Sequence, residues 1–323
     1  EDGIRDQPRS RGLGDVYKRQ SGGDYSIANS SGAISVGVDQ VTFSSTTFTA
    51  PATDLAGNTR PNPANTLLDA GAYENINGIA GYTGDTWYVN ASAGLAYGNG
   101  SATYPLREIQ PAVELAASGN TVYVAPGTYT ENVVLEGKDL AILSTGNRDN
   151  TIIDANGSGT PITFYGNSVT SATVLNGFTL QNGGGSGAHG IYCYYSSPTL
   201  VDLNIKDNIN VGTSNDDYGG GIRVYNSAHP TLVSAQVTGN KGRYGGGICV
   251  HHNSSLSMIN VTVAGNTATG YENGGGLYCD YNVEISIVNS IFWDNSVDAV
   301  SYTHLRAHEP EADLVCRLLL EKK

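Results

Sequence analysis

Charged side chains are scarce in this sequence. Its 323 residues include 17 Lys and Arg against 30 Asp and Glu, together 15% of the chain, and the formal net charge is −13. A nucleic-acid-binding face needs clustered basic side chains to neutralise phosphates, so this composition excludes that class of function. Long helices are excluded as well, because 42 residues are Gly and each Gly inside a helix costs about 1 kcal/mol relative to Ala.

Long apolar runs and closely paired cysteines are also missing. No apolar stretch reaches the roughly 18 residues that a membrane-spanning helix requires, and the 4 cysteines form no Cys-x-x-Cys motif. Zinc binding and dithiol redox chemistry are therefore not indicated. The apolar fraction of 39% is nevertheless sufficient for a packed core.

The two ends of the chain differ in composition from the rest. Residues 1–20 and 301–323 hold nine of the 17 basic residues, and neither end shows strand alternation or helical periodicity. Both ends resemble translated sequencing-adapter peptides, so residues 1–20 and 300–323 are left out of the fold prediction. We expect these ends to make few contacts with the rest of the chain, and we expect any secretion or anchoring signal to lie outside this sequence.

A repeat fills residues 174–296. Each unit reads as a short strand, a turn, a longer strand, an Asn and a Gly-rich loop, and the closing Asn recurs every 26 to 32 residues. A period of about 20–50 residues is typical of solenoids, and three short strands per unit fit one coil of a parallel β-helix. We predict that the closing Asn side chains stack in a structural ladder that satisfies the turns. These residues are Asn182, Asn208, Asn240, Asn266 and Asn295.

Apolar columns in the repeat predict which side chains face the core, since residues i and i+2 of a strand share a face. Three columns come from aligning the closing Asn: Val201/Val233/Ile259/Val288, Leu203/Ala235/Val261/Ser290 and Ile205/Val237/Val263/Phe292. Two more come from the strand after the Gly-rich loop: Ile191/Ile222/Ile248/Leu277 and Cys193/Val224/Val250/Cys279. We predict that all five columns point inward, with neighbouring coils about 4.8 Å apart.

The residues before the repeat predict a cap. Apolar side chains at helical spacing indicate a short helix within 105–118, with Pro111 in its first turn or at a kink. A short amphipathic helix ahead of many short strands suits a cap over the open end of a β-solenoid.

Sequence motifs in the same region resemble a known family. The motifs are W-Y-V at 87–89, I-Q-x-A-V at 109–113 and G-x-T-V-Y-V-A-P-G-T-Y-x-E at 119–131. This order resembles the start of secreted, right-handed, single-stranded parallel β-helix domains of the pectate-lyase-like superfamily. The resemblance implies an all-β domain over residues 81–299, with three strands per coil and a capping helix.

A second resemblance covers the segment before that domain. The motifs D-L-x-G-N-x-R-P at 54–61 and D-x-G-A-Y-E at 69–74 resemble the choice-of-anchor Q segment that closes bacterial surface β-helix domains. The resemblance implies that residues 21–80 are the tail of a preceding domain. Asp54 and Asp69 could bind Ca²⁺, or they could accept backbone N–H bonds in turns; no other cofactor is predicted.

The candidate functional residues lie on two outward columns of the strand after the Gly-rich loop. One column is Tyr192/Arg223/Cys249/Tyr278 and the other is Tyr194/Tyr225/His251/Asp280. We predict a ligand face made by Tyr194, Arg223, Tyr225, His251 and Asp280, with Asp216 and Asp217 at its rim. Tyr supplies an apolar face for a sugar ring and a hydroxyl group for hydrogen bonding. An acidic chain with 20 Tyr therefore favours a neutral extracellular glycan as its partner.

Three functions fit these features. The first is a non-catalytic, secreted or cell-surface protein for adhesion or polysaccharide binding. The second is a polysaccharide lyase or glycoside hydrolase, in which His251 or Arg223 acts as base and Asp217 and Asp280 hold Ca²⁺ or form the carboxylate pair. The third is a trimeric fibre. Polygalacturonases carry an Asp-Asp pair ahead of a His-Gly pair, whereas here His189-Gly190 precedes Asp216-Asp217. This order counts against the second function, and we predict the first.

Overall fold

Short parallel strands joined by turns build most of the molecule. The computed structural model describes residues 40–43, 46–61, 81–93, 98–210, 212, 218–270, 274–296, 300–302 and 319–320. The chain divides into an N-terminal unit, Glu1–Gly84 with Ser92–Arg107, and a β-helix unit, Asp85–Ala91 with Glu108–Lys323. Within the described ranges, no helix has the length and apolar character needed to cross a lipid bilayer.

The N-terminal unit contains a small hairpin and a hydrogen-bonded turn. Gln40–Phe43 and Thr46–Thr49 pair antiparallel. The Asp54 carboxylate accepts hydrogen bonds from the backbone N–H groups of Ala56 at 2.9 Å and Asn58 at 2.7 Å. Asp54 thus has the turn-forming role that its position before Gly57 and Asn58 favours. Asp69 lies outside the described residues, as does most of segment 21–80.

Three long parallel sheets and one short ladder make up the β-helix unit. Sheet A consists of Thr86–Val89, Thr121–Val124, Ala141–Ser144, Val174–Asn176, Thr199–Val201, Thr231–Val233, Ser255–Ile259 and Glu284–Val288. Sheet B consists of Gly127–Tyr129, Thr151–Asp154, Thr179–Gln181, Asn204–Lys206, Gln236–Thr238, Thr262–Ala264, Ile291–Trp293 and Leu319–Leu320. Sheet C consists of Val133–Glu136, Ile162–Tyr165, Ile191–Tyr194, Ile222–Tyr225, Ile248–His251, Leu277–Asp280 and Val300–Tyr302. Ladder D consists of Gly184–Gly185, Ile209–Asn210, Lys241–Gly242 and Thr267–Ala268.

The fold is an all-β, right-handed parallel β-helix with three main strands per coil, which confirms the predicted fold class. Each strand pairs in register with the equivalent strands of the preceding and following coils. The short strands Val300–Tyr302 and Leu319–Leu320 extend sheets C and B. These two pairings are contacts between the C-terminal end and the coils, of which we expect few from the sequence.

The core runs through the interior of the coils. Sheet C supplies two inward columns, represented by Ile222 and Val224, and sheet B supplies the column that contains Val237; all three side chains have 0% exposure. Burying such a side chain contributes roughly 1.5–3 kcal/mol, so the stacked columns are the main source of stability. Cys193 and Cys279 lie in one of these sheet C columns, as predicted, with two coils between them.

One predicted core column is wrong. Val201 and its stacked partners were expected to point inward, but Leu200 is the buried residue of that strand and Ile259 is 36% exposed. The cause is Asp202, which adopts a left-handed conformation with φ 49° and turns the chain between sheets A and B. The turn interrupts the period of two, so that Val201 faces outward while Leu203 faces the core. The equivalent turns contain Ser234, Asn260 and Asn289.

A short helix, α1, covers the first coils. It spans Ile109–Leu115, inside the predicted range, and it buries Ile109, Ala112 and Val113. Its first N–H groups are capped from another coil, because the Glu131 carboxylate accepts hydrogen bonds from Ile109 at 2.6 Å and Gln110 at 2.9 Å. Burial raises the pKa of Glu131.

Candidate functional site

The outer face of sheet C carries the predicted site residues. Strand pairing aligns Tyr194, Tyr225, His251 and Asp280 in one column, and it places Tyr165 ahead of Tyr194. The neighbouring positions along each strand point into the core. The second outward column contains Tyr192, Arg223, Cys249 and Tyr278, in the predicted register.

A Gly-rich loop covers part of this face. Gly219 has φ 67°, and a Cβ atom there would lie 2.8 Å from the backbone oxygen of Ile222 and 3.3 Å from the Cβ atoms of Arg223 and Cys249. Only Gly allows the chain to pass this close. The loop brings Tyr218 beside Tyr244 through a parallel bridge. As a result, residues that face away from the coil core are nevertheless buried.

Arg223 and His251 form a buried hydrogen-bonded pair. Nε of Arg223 donates to Nε2 of His251 at 3.1 Å, while the Nδ1 atoms of His251 and His252 lie 3.0 Å apart. Burial, and to a lesser extent the nearby Arg223 charge, lower the pKa of His251 to about 2. His251 is therefore neutral at physiological pH.

Tyrosine rings enclose this pair. The His251 ring is stacked between Tyr218 at 4.3 Å and Tyr225 at 4.4 Å. The Arg223 guanidinium lies 4.8 Å from the Tyr225 ring centre and 5.3 Å from that of Tyr218, within cation–π range. Burial raises the pKa of both Tyr192 and Tyr218 to about 12. The cluster is thus a second small core outside the coils.

This burial changes the roles available to two predicted site residues. His251 is 1% exposed and Arg223 is 8% exposed, so neither offers a surface to a ligand in this conformation. A general base needs a pKa near the operating pH and access to the substrate, and His251 has neither. The sequence predicts both residues on outward, ligand-facing columns, and the structure corrects this prediction because the Gly-rich loop covers them.

The carboxylates of the predicted site are only partly described. Asp280 is half-buried; its Oδ2 accepts a hydrogen bond from the Tyr278 hydroxyl at 3.1 Å and its Oδ1 accepts one from the Tyr281 N–H at 2.8 Å. Asp216 and Asp217 lie outside the described residues. Across the part of the chain that the structure describes, no group of three or more His, Cys, Asp or Glu side chains could hold a metal ion.

A continuous row of partly exposed rings runs along the corner where sheet C ends. We call it the aromatic ridge. It consists of Tyr165, Tyr194, Tyr195, Tyr225, His252 and Tyr281. Successive ring centres are 4.9 Å apart for Tyr165–Tyr194, 5.5 Å for Tyr194–Tyr225, 5.0 Å for Tyr225–His252 and 4.7 Å for His252–Tyr281. The ridge therefore joins five consecutive coils.

Three ridge residues occupy an unusual backbone conformation. Tyr195, His252 and Tyr281 have φ values of 50°, 57° and 56°, in the left-handed region that bulky side chains rarely adopt. The equivalent position one coil earlier is Gly166, with φ 93°, which carries no such penalty. A backbone cost of about 1–3 kcal/mol per residue is tolerated where function requires the side chain. The sequence prediction missed these residues because they follow the strand and read as turn positions; the recurring aromatic there was the available signal.

The closing Asn residues form a hydrogen-bonded ladder beside this face. Oδ1 of Asn240 accepts from Nδ2 of Asn208 at 2.9 Å, Oδ1 of Asn266 accepts from Nδ2 of Asn240 at 3.0 Å, and Oδ1 of Asn295 accepts from Nδ2 of Asn266 at 2.9 Å. Each of these oxygens also accepts the backbone N–H of the preceding ladder residue. The ladder is structural.

Asn182 does not belong to this ladder. Strand pairing of Gln181 with Lys206 puts Gly183 opposite Asn208, and the Gly183 N–H donates to Asn208 Oδ1 at 2.8 Å. Asn182 instead occupies the left-handed turn position with φ 56°, and its Nδ2 donates to the Asp154 carboxylate. Asn tolerates that conformation through its short polar side chain, so the alignment by residue type was off by one position.

The comparisons with known proteins concern the fold. No family model and no curated protein matches this sequence. Solved structures with a similar chain path include the pectate lyase Pel9A (15% identity, TM-score 0.48, 68% of this chain and 56% of that one). A second is a pectin methylesterase from Aspergillus niger (11% identity, TM-score 0.43, 69% of this chain and 82% of that one). A third is a rhamnogalacturonan lyase (14% identity, TM-score 0.43, 66% of this chain and 69% of that one). The chain spans just over half the length of the pectate lyase.

Proposed function

We propose that this chain is a non-catalytic, secreted or cell-surface β-helix protein that binds an extracellular polysaccharide along the aromatic ridge. The observation that carries the proposal is the ridge itself. Its rings contact one another across five coils and three of its residues keep a strained backbone. Tyr rings stack on the apolar faces of sugars, and their hydroxyl groups bond to sugar hydroxyls.

The exposure of the ridge supports a binding role. Tyr165, Tyr195 and Tyr281 are 42%, 38% and 59% exposed, and Tyr194, Tyr225 and His252 are half-buried. The half-buried rings are held by their neighbours, so little conformational entropy is lost when a ligand settles on them. Rigid aromatic surfaces of this kind give affinity at low entropic cost.

The buried cluster beneath the ridge favours binding over catalysis. A lyase needs an accessible base near neutral pKa, and a glycoside hydrolase needs two carboxylates at a defined separation. His251 is buried and neutral, and Nε of Arg223 donates its hydrogen bond to this ring. We therefore assign these two residues a supporting role, in which they hold Tyr225 in place.

A glycan-binding assay on the full chain tests the proposal. A glycan array identifies ligands, and calorimetry then compares the Tyr165→Ala variant with a Trp293→Ala control, which removes an aromatic residue that is 51% exposed on sheet B. We expect Tyr165→Ala to weaken binding about tenfold, equivalent to 1.4 kcal/mol, and the control to leave binding unchanged. Absence of glycan binding, or equal loss in both variants, refutes the proposal. Release of an unsaturated product with ultraviolet absorbance would instead establish lyase activity.

A further inference from the structure

We propose that the ligand of the aromatic ridge is an uncharged polysaccharide with equatorial hydroxyl groups, lying parallel to the β-helix axis across at least four coils. This inference rests on the proposed function and specifies the class of glycan. It is carried by the charges at the ridge, by its length and by the side chains beside its rings.

The charges at the ridge disfavour polyuronates. Strand pairing places Glu136 next to Tyr165 at one end of the ridge column, and Asp280 stands in the same column near the other end. Glu136 is exposed and Asp280 is half-buried. Two columns build the ridge, and they run from Glu136 and Gly137 to Asp280 and Tyr281. None of their positions is Lys or Arg. A chain of sugar carboxylates would meet like charge at both ends of these columns, and no position of the columns supplies a cation.

Two basic side chains near the ridge are engaged in contacts within the protein. Arg223 lies beneath the ridge, 8% exposed, with Nε bonded to His251. Lys138 donates from Nζ to the backbone oxygens of Glu114, in helix α1, and of Ala116, directly after that helix. These cations stabilise the protein's own structure, and neither lies on the exposed surface of the ridge.

The length of the ridge sets the length of the ligand. The coil that carries Tyr281 lies four coil spacings along the β-helix axis from the coil that carries Tyr165. At about 4.8 Å per coil, the ridge is therefore about 19 Å long. A pyranose in an extended chain advances by about one coil spacing, so that successive rings can stack on successive coils. A single sugar would cover only a fraction of this surface.

The chemistry of the ridge favours equatorial substituents. A pyranose ring stacks on Tyr through its C–H face, and equatorial hydroxyl groups leave that face apolar, whereas axial ones interrupt it. Equatorial hydroxyl groups then point sideways, toward the turn beside the rings. Exposed amides lie there: Asn253 and Asn282 are hydrogen-bonded to each other at 2.9 Å, and each amide keeps further donor and acceptor capacity.

Calorimetry on the full chain tests the inference with two series of oligosaccharides. The first series comprises a β-1,4-linked glucose disaccharide, tetrasaccharide and hexasaccharide; the second comprises galacturonate oligomers of the same lengths. We expect affinity in the first series to rise at least about tenfold, or 1.4 kcal/mol, from the disaccharide to the tetrasaccharide. We expect each galacturonate oligomer to bind at least about tenfold more weakly than its neutral counterpart.

Two variants separate charge from stacking. Glu136→Gln should strengthen galacturonate binding and leave binding of the neutral series unchanged. Tyr281→Asn should weaken the hexasaccharide more than the disaccharide. Galacturonate bound as tightly as the neutral chain, or affinity independent of length, overturns the inference and leaves the glycan-binding function standing. Failure of every glycan to bind refutes the proposed function itself.

Discussion

Nε of Arg223 donates a hydrogen bond to Nε2 of His251 across 3.1 Å, between stacked tyrosine rings. The bond requires an unprotonated Nε2, and the adjacent guanidinium charge opposes protonation of the ring. The pair therefore couples the stability of the cluster to pH.

The first prediction concerns that coupling. The folded pKa of His251 is about 2, below its ordinary value of 6.5, so its contribution to stability is complete above pH 6.5 and is lost as the pH falls toward 2. Between pH 6.5 and about pH 2, protonation of His251 alone should lower the free energy of unfolding by up to about 1.4 kcal/mol for each unit that the pH falls. His251→Gln retains an acceptor for Arg223 and should flatten the profile measured by urea unfolding. His229→Gln is the control, because His229 is exposed; a profile unchanged by His251→Gln contradicts the prediction.

The second prediction concerns the Asn ladder. Asn240→Ala removes the acceptor of two Asn208 donors and the donor to the Ile205 backbone oxygen, all in buried positions. Each buried group left unsatisfied costs about 1–3 kcal/mol, so we expect a loss of about 3 kcal/mol or more in the free energy of unfolding. Gln236→Ala, an exposed residue of the same coil, should change it by less than about 0.5 kcal/mol. Similar losses in the two variants would show that the ladder contributes little.

The third prediction separates stability from binding at Tyr281. Asn occupies the equivalent left-handed position at Asn226, with φ 59°, and tolerates it better than Tyr does. Tyr281→Asn should therefore leave the free energy of unfolding unchanged or raise it by about 1 kcal/mol, while glycan affinity falls. Thermal unfolding and calorimetry measure the two quantities on the same sample. A destabilised variant would mean that the Tyr281 ring has a structural role.

The fourth prediction concerns the cap of helix α1. Glu131→Ala leaves the N–H groups of Ile109 and Gln110 without their carboxylate acceptor, and we expect a loss of about 1 kcal/mol. Amide hydrogen exchange at these two residues should accelerate. Glu108→Ala is the matched control, since Glu108 precedes the helix without a side-chain cap. Unchanged exchange in Glu131→Ala would exclude the capping role.

The fifth prediction concerns thiol reactivity. Cys193, Cys249 and Cys279 are buried and free in the structure, and burial raises the pKa of each thiol. In a Cys316→Ser background, the native protein should not react with a disulfide reagent, and three thiols should appear on unfolding. Rapid labelling of Cys249 in the native protein would mean that the Gly219 loop opens frequently.

The parts of the fold that depend on local chemistry could be predicted from the sequence. The inward column at Ile222 and the spacing of Asn208, Asn240 and Asn266 follow from the period of the repeat. The Val201 column could not be predicted correctly, because a single left-handed residue at Asp202 shifts the phase between two strands.

The candidate site was harder to predict than the core. Strand alternation placed Arg223 and His251 on the outer face, but their burial depends on a loop whose length varies from coil to coil. Tyr281 was overlooked because turn positions are expected to favour Gly or Asn. In both cases the deciding factor was the path of the turns, which a strand pattern does not contain.

The coil-to-coil pairing also determines how the molecule should respond to force. Inter-strand hydrogen bonds run along the axis, so tension applied between the two ends loads them one row at a time instead of shearing many together. The ladder residues are separated by 32, 26 and 29 positions along the chain, and each ruptured row would release a length of chain of about that size. The β-helix should therefore extend under load in a series of small, nearly equal steps, with each remaining coil still folded.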